Sequence, residues 1–245
     1  MTIRKVTRNA DGSLPPTHPI LGVSYGDVFR AVYRVRIRFD DRVEGGIPKD
    51  GEAMEAWLKT KGFLPDEVDA MARARRAELK AQSDDAALDS ADAYVEEEIT
   101  RTWSGFTKRD GNLVIEGRQI KAMFRECATE LKITTSVYAF KQRLQHGFFM
   151  DDAALTRNGQ PLSEPDGYRT KVVHAWTKKG KIAAFSRHDY VYAGELEFTI
   201  KVIQADVVTA DVLKRMLVLA EEMGLGANRS QGEGKFTVLE FEQVR

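Results

Sequence analysis

The sequence predicts an α+β domain, with helices covering one face of an antiparallel sheet. Three observations carry that reading. Residues 31–41, "AVYRVRIRFDD", alternate Tyr33, Val35, Ile37 and Phe39 with Arg34, Arg36 and Arg38, the period of a half-buried strand. Two stretches, 118–133 and 209–224, instead space apolar residues three and four apart, as a helix with one buried face does. Strand-like runs lie between and after them, divided by Gly, Pro and Asn steps that mark turns.

From the N-terminus, residues 1–30 are polar and turn-rich, with Pro15, Pro16 and Pro19, and read as an arm. The strand at 31–39 follows. After the turn "EGGIPKDGE", residues 52–61 read as a short helix presenting Met54, Trp57 and Leu58. Residues 66–100 are Ala-rich and acidic, with high helix propensity and few aromatics, and read as an exposed helical insertion. "GNLVIEG" is a strand leading into "RQIKAMFRECATELKI", whose Ile120, Met123, Phe124 and Cys127 form one apolar helix face. "SVYAFKQRLQHGFFM" has β character, and the polar excursion after it carries turn signals at Asn158-Gly159 and Pro165-Asp166-Gly167. Strands "TKVVHAW" and "IAAFSRHDYVYAG" flank the basic turn "TKKGK", and "ELEFTIKVI" is a further strand. The helix "TADVLKRMLVLAEEMG" opens on Thr209 as cap and ends at Gly224; a glycine-rich loop then leads into the closing strand "FTVLEFEQV". This order suits a modified ferredoxin-like or RNA-recognition-type sheet.

Composition narrows the function classes. With 245 residues, 42% of them hydrophobic, the chain can bury a real core. Thirty-seven basic side chains balance 37 acidic ones, so net charge does not decide for or against a polyanionic partner. A single cysteine, Cys127, excludes an internal disulfide framework and a cysteine-rich zinc site. Four histidines lack metal-binding spacing, so no metal and no cofactor are expected. No apolar run reaches membrane-spanning length, and the start lacks the apolar core of a signal peptide; the expectation is a cytoplasmic protein with no membrane partner.

The loop "GLGANRSQGEGKF" (224–236) has three readings. Its glycines can end the helix and relieve crowding in a turn. They can cradle a nucleotide phosphate, but Gly226 and Gly232 are six apart and Gly234-Lys235 is followed by Phe236, which breaks the Walker spacing; no helix follows, which excludes the dinucleotide pattern. Or the bare backbone can lie against a nucleic-acid backbone, with peptide N–H groups, Arg229, Ser230 and Gln231 donating to phosphates.

This loop, before a final strand, resembles the C-terminal glycine-rich loop of the RAMP superfamily, RNA-binding proteins of CRISPR effector complexes. "VIEGRQIKAMFREC" is similar to the strand-to-helix motif Pro-Gly-Ser-Ser-Leu-Lys-Gly-Ala-Leu-Arg of their backbone subunits. Gly117 takes the glycine, Arg118 and Gln119 the serines, Ile120 the leucine, Lys121 the lysine and Arg125 the arginine. Glu116 replaces the proline and Ala122 the second glycine. "YVYAGELEFTIKVI" resembles the family's strand that begins near Pro-Ala-Gly-Thr. The three matches keep family order over about residues 110–244. The acidic insertion at 66–100 has no counterpart in it.

The resemblance implies one elaborated RAMP-like domain over 1–245, with a thumb-like hairpin in the excursion at 146–168. It implies a protein that holds a guide RNA, pairs it with complementary target RNA or DNA, and associates with copies of itself and with other effector subunits. The residues implied for RNA contact are Arg118, Gln119, Lys121 and Arg125 at the helix, and Gly226, Asn228, Arg229, Ser230, Gln231, Gly232 and Lys235 in the loop. Arg34 and Arg36 join them on a sheet face where single-stranded RNA can lie. Each has a plainer alternative: a solvated basic helix face, an ordinary tight turn, arginines on the wet side of a sheet. Lys121 and Arg125, four apart, share a helix face, and the helix start would add free N–H groups.

Binding rather than catalysis is the expected role. In type III relatives an aspartate after the first strand cleaves target RNA; Asp40, Asp41 and Asp50 do not align with that position, which puts target cleavage in doubt, and Asp41 is the candidate kept for it. His174 and His188 are the candidates for the alternative reading, a metal-independent endoribonuclease that processes repeat RNA. A third reading is a structural protein with no nucleic acid. Cys127 reads as buried packing.

Overall fold

The computed structural model describes residues 17–18, 20–49, 102–133, 144, 146–177, 180–203 and 206–245, with backbone alone over 172–177 and 180–185. The expected helix at 52–61, the acidic insertion at 66–100, most of the arm and most of "SVYAFKQRL" lie outside the described residues.

A single-turn helix, α1 (Tyr25–Val28), precedes β1 (Ala31–Phe39), where the alternation in sequence becomes alternation in burial: Tyr33, Val35, Ile37 and Phe39 face the core. Short strands β2 (Arg42–Glu44) and β3 (Ile47–Pro48) follow. After the undescribed segment come β4 (Trp103–Gly105), β5 (Thr107–Arg109) and β6 (Asn112–Ile115), then helix α2 (Gly117–Glu130). β7 (Phe148–Met150), β8 (Ala153–Arg157) and β9 (Gln160–Pro161) lead to the long hairpin of β10 (Gly167–Thr177) and β11 (Gly180–Tyr192). β12 (Glu195–Val202), helix α3 (Ala210–Met223), a 3-10 turn (Arg229–Gln231) and β13 (Phe236–Gln243) complete the described chain.

The main sheet runs β13-β1-β12-β8-β6-β5, with β7 also on β12 and β9 on β8, and every pairing in it is antiparallel. The last strand lies beside the first, and the third lies between first and second. That is the order a βαββαβ chain adopts in a ferredoxin-type sheet. Helices α2 and α3 bury Ile120, Met123, Phe124, Cys127, Leu213, Met216, Leu217 and Ala220 in one cluster with the inward residues of β1 and β12. The α3 start is capped as expected, Thr209 Oγ1 accepting the Val212 N–H at 3.3 Å.

Two features go beyond the sequence expectation. In the stretch 146–168, β7 and β8 pair with β12 and bury Phe148, Ala153 and Leu155, and β8 turns at Asn158-Gly159 into a short hairpin with β9. The longest described hairpin is β10–β11, paired from Gly167–Tyr190 to Thr177–Gly180. It belongs to a second sheet, β10-β11-β4-β3 with β2 on β11, in which β4 runs parallel to β11.

Candidate nucleic-acid interface

The glycine loop approaches its own chain first. A Cβ on Gly234 would lie 1.9 Å from the Leu225 carbonyl oxygen, and one on Gly226 would lie 2.7 Å from the Glu44 carbonyl oxygen; both residues also have positive φ. The Ala227 N–H donates to Glu44 O at 2.8 Å, and the Gly234 N–H to Arg42 O at 3.0 Å, so the loop clips onto β2. Asn228, in the left-handed region, donates through Nδ2 to Glu44 Oε2 at 2.5 Å. Gly226 and Asn228, expected at RNA, are therefore anchors of the loop.

The amides expected to bind phosphate are engaged as well. Those of Leu225, Ala227, Gln231, Gly232, Glu233 and Gly234 all donate to carbonyls within the protein. What the 3-10 turn offers outward are the exposed Ser230, Gln231 and Gly232, with Arg229 at its root. Lys235, just before β13, pairs with Glu222 of α3 at 2.5 Å.

The start of α2 is occupied in the same way. The Gly117 N–H donates to Asp152 Oδ1 at 2.9 Å, Gln119 Oε1 accepts the Glu116 N–H at 3.0 Å, and Arg118 pairs with Glu116. Two carboxylates thus meet the positive end of the helix, where a phosphate was expected. Further along α2 the chemistry opens. Lys121 lies 5.4 Å from the Phe149 ring centroid, and burial, then the like charge of Arg125, push its pKa below the ordinary lysine value. Arg125 is exposed, and among the described residues no carboxylate pairs with it.

Arg229 joins the two regions. Its guanidinium grips Glu126 of α2 at 2.8 and 3.1 Å, a bidentate pair between residues 103 apart in sequence. Arg229 therefore meets α2 at Glu126, next in sequence to Arg125, whereas Arg34 and Arg36 lie elsewhere. Those two lie across β1 from Glu240 and Glu242 of β13: Arg34 is 2.5 Å from Glu242 and 3.6 Å from Glu240, and Arg36 is 3.7 Å from Glu240. The sheet face expected to carry bare cations is a mixed-charge face. Complementary alternation was visible in the sequence, "RVRIR" against "LEFEQ", but only the strand register brings the two together.

The candidate catalytic residues have structural partners or lie outside description. The buried His188 holds the Gly45 carbonyl at 2.9 Å through Nδ1, so its Nε2 accepts from Ser186 Oγ at 2.8 Å. No ring nitrogen is left for proton transfer to a substrate. Asp41 is exposed beside Arg42, at 3.3 Å, and the His174 side chain is outside the described set. Among the described residues, no group of three His, Cys, Asp or Glu could hold a metal, and no helix is long and apolar enough to cross a membrane.

Sequence reasoning missed the polar network beneath the loop. The fully buried Glu44 is 2.9 Å from Lys171 Nζ, and Glu233 accepts from Lys171 Nζ at 2.9 Å, Arg42 Nε at 3.0 Å and Arg169 Nη1 at 3.0 Å. A buried carboxylate is tolerated only when paired in this way. The network ties the loop to β2 and to the β10–β11 hairpin. Glu233 inside a glycine loop was the one signal for it.

No family model matches the chain, and no curated protein matches it. Among solved structures it is similar to a chain in the cryo-EM structure of the type III-B Cmr-beta bound to cognate target RNA, at 12% identity and a TM-score of 0.48. The similarity covers 88% of this chain and 61% of that one, so the chain spans less than two thirds of the length of its solved neighbour.

Proposed function

We propose that this chain is an RNA-binding protein of RAMP type, which holds a guide RNA by its phosphate backbone as a backbone subunit of an RNA-guided complex. The observation that carries the reading is the bidentate Arg229–Glu126 contact, which brings the glycine loop onto the helix of the second motif. Two motifs recognised separately in the sequence thus share one surface. Lys121 and Arg125 stand four residues apart on that helix, and burial, then the like charge of Arg125, lowers the lysine pKa. A phosphate there would offset the like charges, and Arg229, Ser230 and Gln231 would supply further donors.

The finer parts of the proposal follow from the resemblance. Copies of the chain would associate head to tail along the guide, so that subunit number follows RNA length. Base pairing between guide and target RNA or DNA would supply sequence specificity, by analogy with other RNA-guided systems. Protein purified from its native host should carry short RNAs of discrete length, and Lys121→Ala with Arg229→Ala should remove them. Absence of RNA in the purified protein, together with no binding of added single strands, refutes the reading and leaves a structural protein.

A further inference from the structure

We propose that Asn228 is a positioning residue: tied through its side-chain amide to the buried Glu44, it orders the 3-10 turn so that Arg229 is already in place when a phosphate arrives. This inference rests on the RNA-binding reading and names what sets the geometry of its arginine.

Glu44 is a fixed point. It ends β2, stands opposite Tyr190 of β11, and is fully buried. Its carbonyl accepts the Ala227 N–H at 2.8 Å, and Gly226 packs so closely that a Cβ there would come within 2.7 Å of the same oxygen. One carboxylate oxygen is 2.9 Å from Lys171 Nζ, and the other accepts from Asn228 Nδ2 at 2.5 Å. Asn228 carries this anchor into the turn. Its φ of 54° is left-handed, and its carbonyl accepts the N–H groups of Gln231 at 2.9 Å and Glu233 at 3.4 Å. Arg229 is the next residue along.

Asparagine combines the two properties that this position needs. It tolerates a left-handed backbone, and it offers an N–H to a carboxylate, which can only accept. Glycine would lack the donor, and aspartate would set a second carboxylate against the buried one. Two restraints act on Arg229, this anchored turn and the pair with Glu126. A phosphate that takes the guanidinium from the half-exposed Glu126 removes the second. The Asn228 anchor stays beneath the turn, so less ordering entropy is lost on binding.

The test uses the full chain, a fluorescent unstructured single-stranded RNA and a KCl series, at a temperature well below the melting point of each variant. Asn228→Gly should bind about 2- to 12-fold more weakly, the range for re-ordering one long side chain. Its log–log salt slope should match the parent's, because the arginine still reaches its phosphate. In an Arg229→Ala background the same substitution should change affinity little. Asn228→Asp should bind weakly, and adding Glu44→Gln should restore binding, since the exchanged amide and carboxylate form the same hydrogen bond at the same net charge. Parent-like binding by Asn228→Gly overturns the positioning role, while a loss confined to Arg229→Ala keeps the phosphate reading intact. An undiminished loss in the Arg229→Ala background also overturns it, because Asn228 then acts through the fold at large. A folded exchange variant that stays weak overturns the pairing with Glu44. A parent protein that binds no single strand removes the RNA-binding reading and this role with it.

Discussion

Under the proposed RNA-binding reading, Glu126 competes with phosphate for Arg229, so neutralising it should tighten RNA binding. The pair is bidentate, but Arg229 is 28% and Glu126 46% exposed, and solvent screening limits it to about 0.5–1 kcal/mol. Glu126→Gln removes that competition, for an expected gain of about 2- to 5-fold in affinity. Arg229→Ala should weaken binding uniformly across sequences and make the log–log salt slope shallower by about 0.7, the value for one phosphate on a single strand. Fluorescence anisotropy over a KCl series reads both quantities. Removing any negative charge near RNA also helps binding, so the double variant is the control. In an Arg229→Ala background, Glu126→Gln should lose most of its effect. An undiminished gain there would mean that Glu126 acts through the general field. Weaker binding by Glu126→Gln alone would refute the competition outright, since the carboxylate would then be orienting the guanidinium for RNA.

Three further outcomes follow from the same structure. Gly234→Ala should destabilise the fold far more than Gly232→Ala: the first drives a methyl into the Leu225 carbonyl, whereas the second meets no atom and pays only about 1–2 kcal/mol for its left-handed backbone. Equal urea midpoints would contradict this. Burial, then the charge of Glu126, pushes the Cys127 thiol up to about 12, so at pH 8 only about one molecule in ten thousand is thiolate; alkylation should run at the rate of protein opening, and fast labelling of native protein would refute the packing. Burial pushes the Glu233 carboxyl up, but hydrogen bonds from Lys171 and Arg42 outweigh it, so its folded pKa lies below the usual value. Its stabilisation is therefore present above about pH 4.3 and is lost as pH falls through the folded pKa. Glu233→Gln should flatten the acid limb of a stability–pH profile, and an unaltered limb would exclude this network as its origin.

Local pattern was legible where one face decides structure. The alternation of β1, the apolar faces of α2 and α3, the Thr209 cap and the Gly224 stop all follow from residues within a turn or two of each other. What was not legible are the partners. Glu44 and Asn228 are 184 positions apart, and nothing near either announces the other. The stretch "DDAALTRNGQPL" is rich in turn residues, and its sequence alone did not reveal that Ala153 and Leu155 face the core. The candidate site suffered most. Residue types suited to phosphate were read correctly as cations and donors, but a cation's availability depends on the carboxylate that strand register or helix packing sets opposite it.

That dependence sorts the charged residues into two kinds. Glu126, Glu222 and Glu242, which hold Arg229, Lys235 and Arg34, are 46%, 75% and 50% exposed and can rotate into water when a phosphate arrives. Glu44 and Glu233, 0% and 11% exposed, cannot leave without stranding a buried charge. The first kind is displaceable and belongs to the surface; the second is permanent and belongs to the scaffold under the loop. Apart from the exposed Arg125, a polyanion would meet this balanced chain through pairs of the first kind. Each exchange replaces one screened ion pair by another, so a single contact contributes little, and affinity has to accumulate along a backbone that presents phosphates in series. Such a surface favours an extended single strand over a lone nucleotide, because only the strand displaces several carboxylates at once.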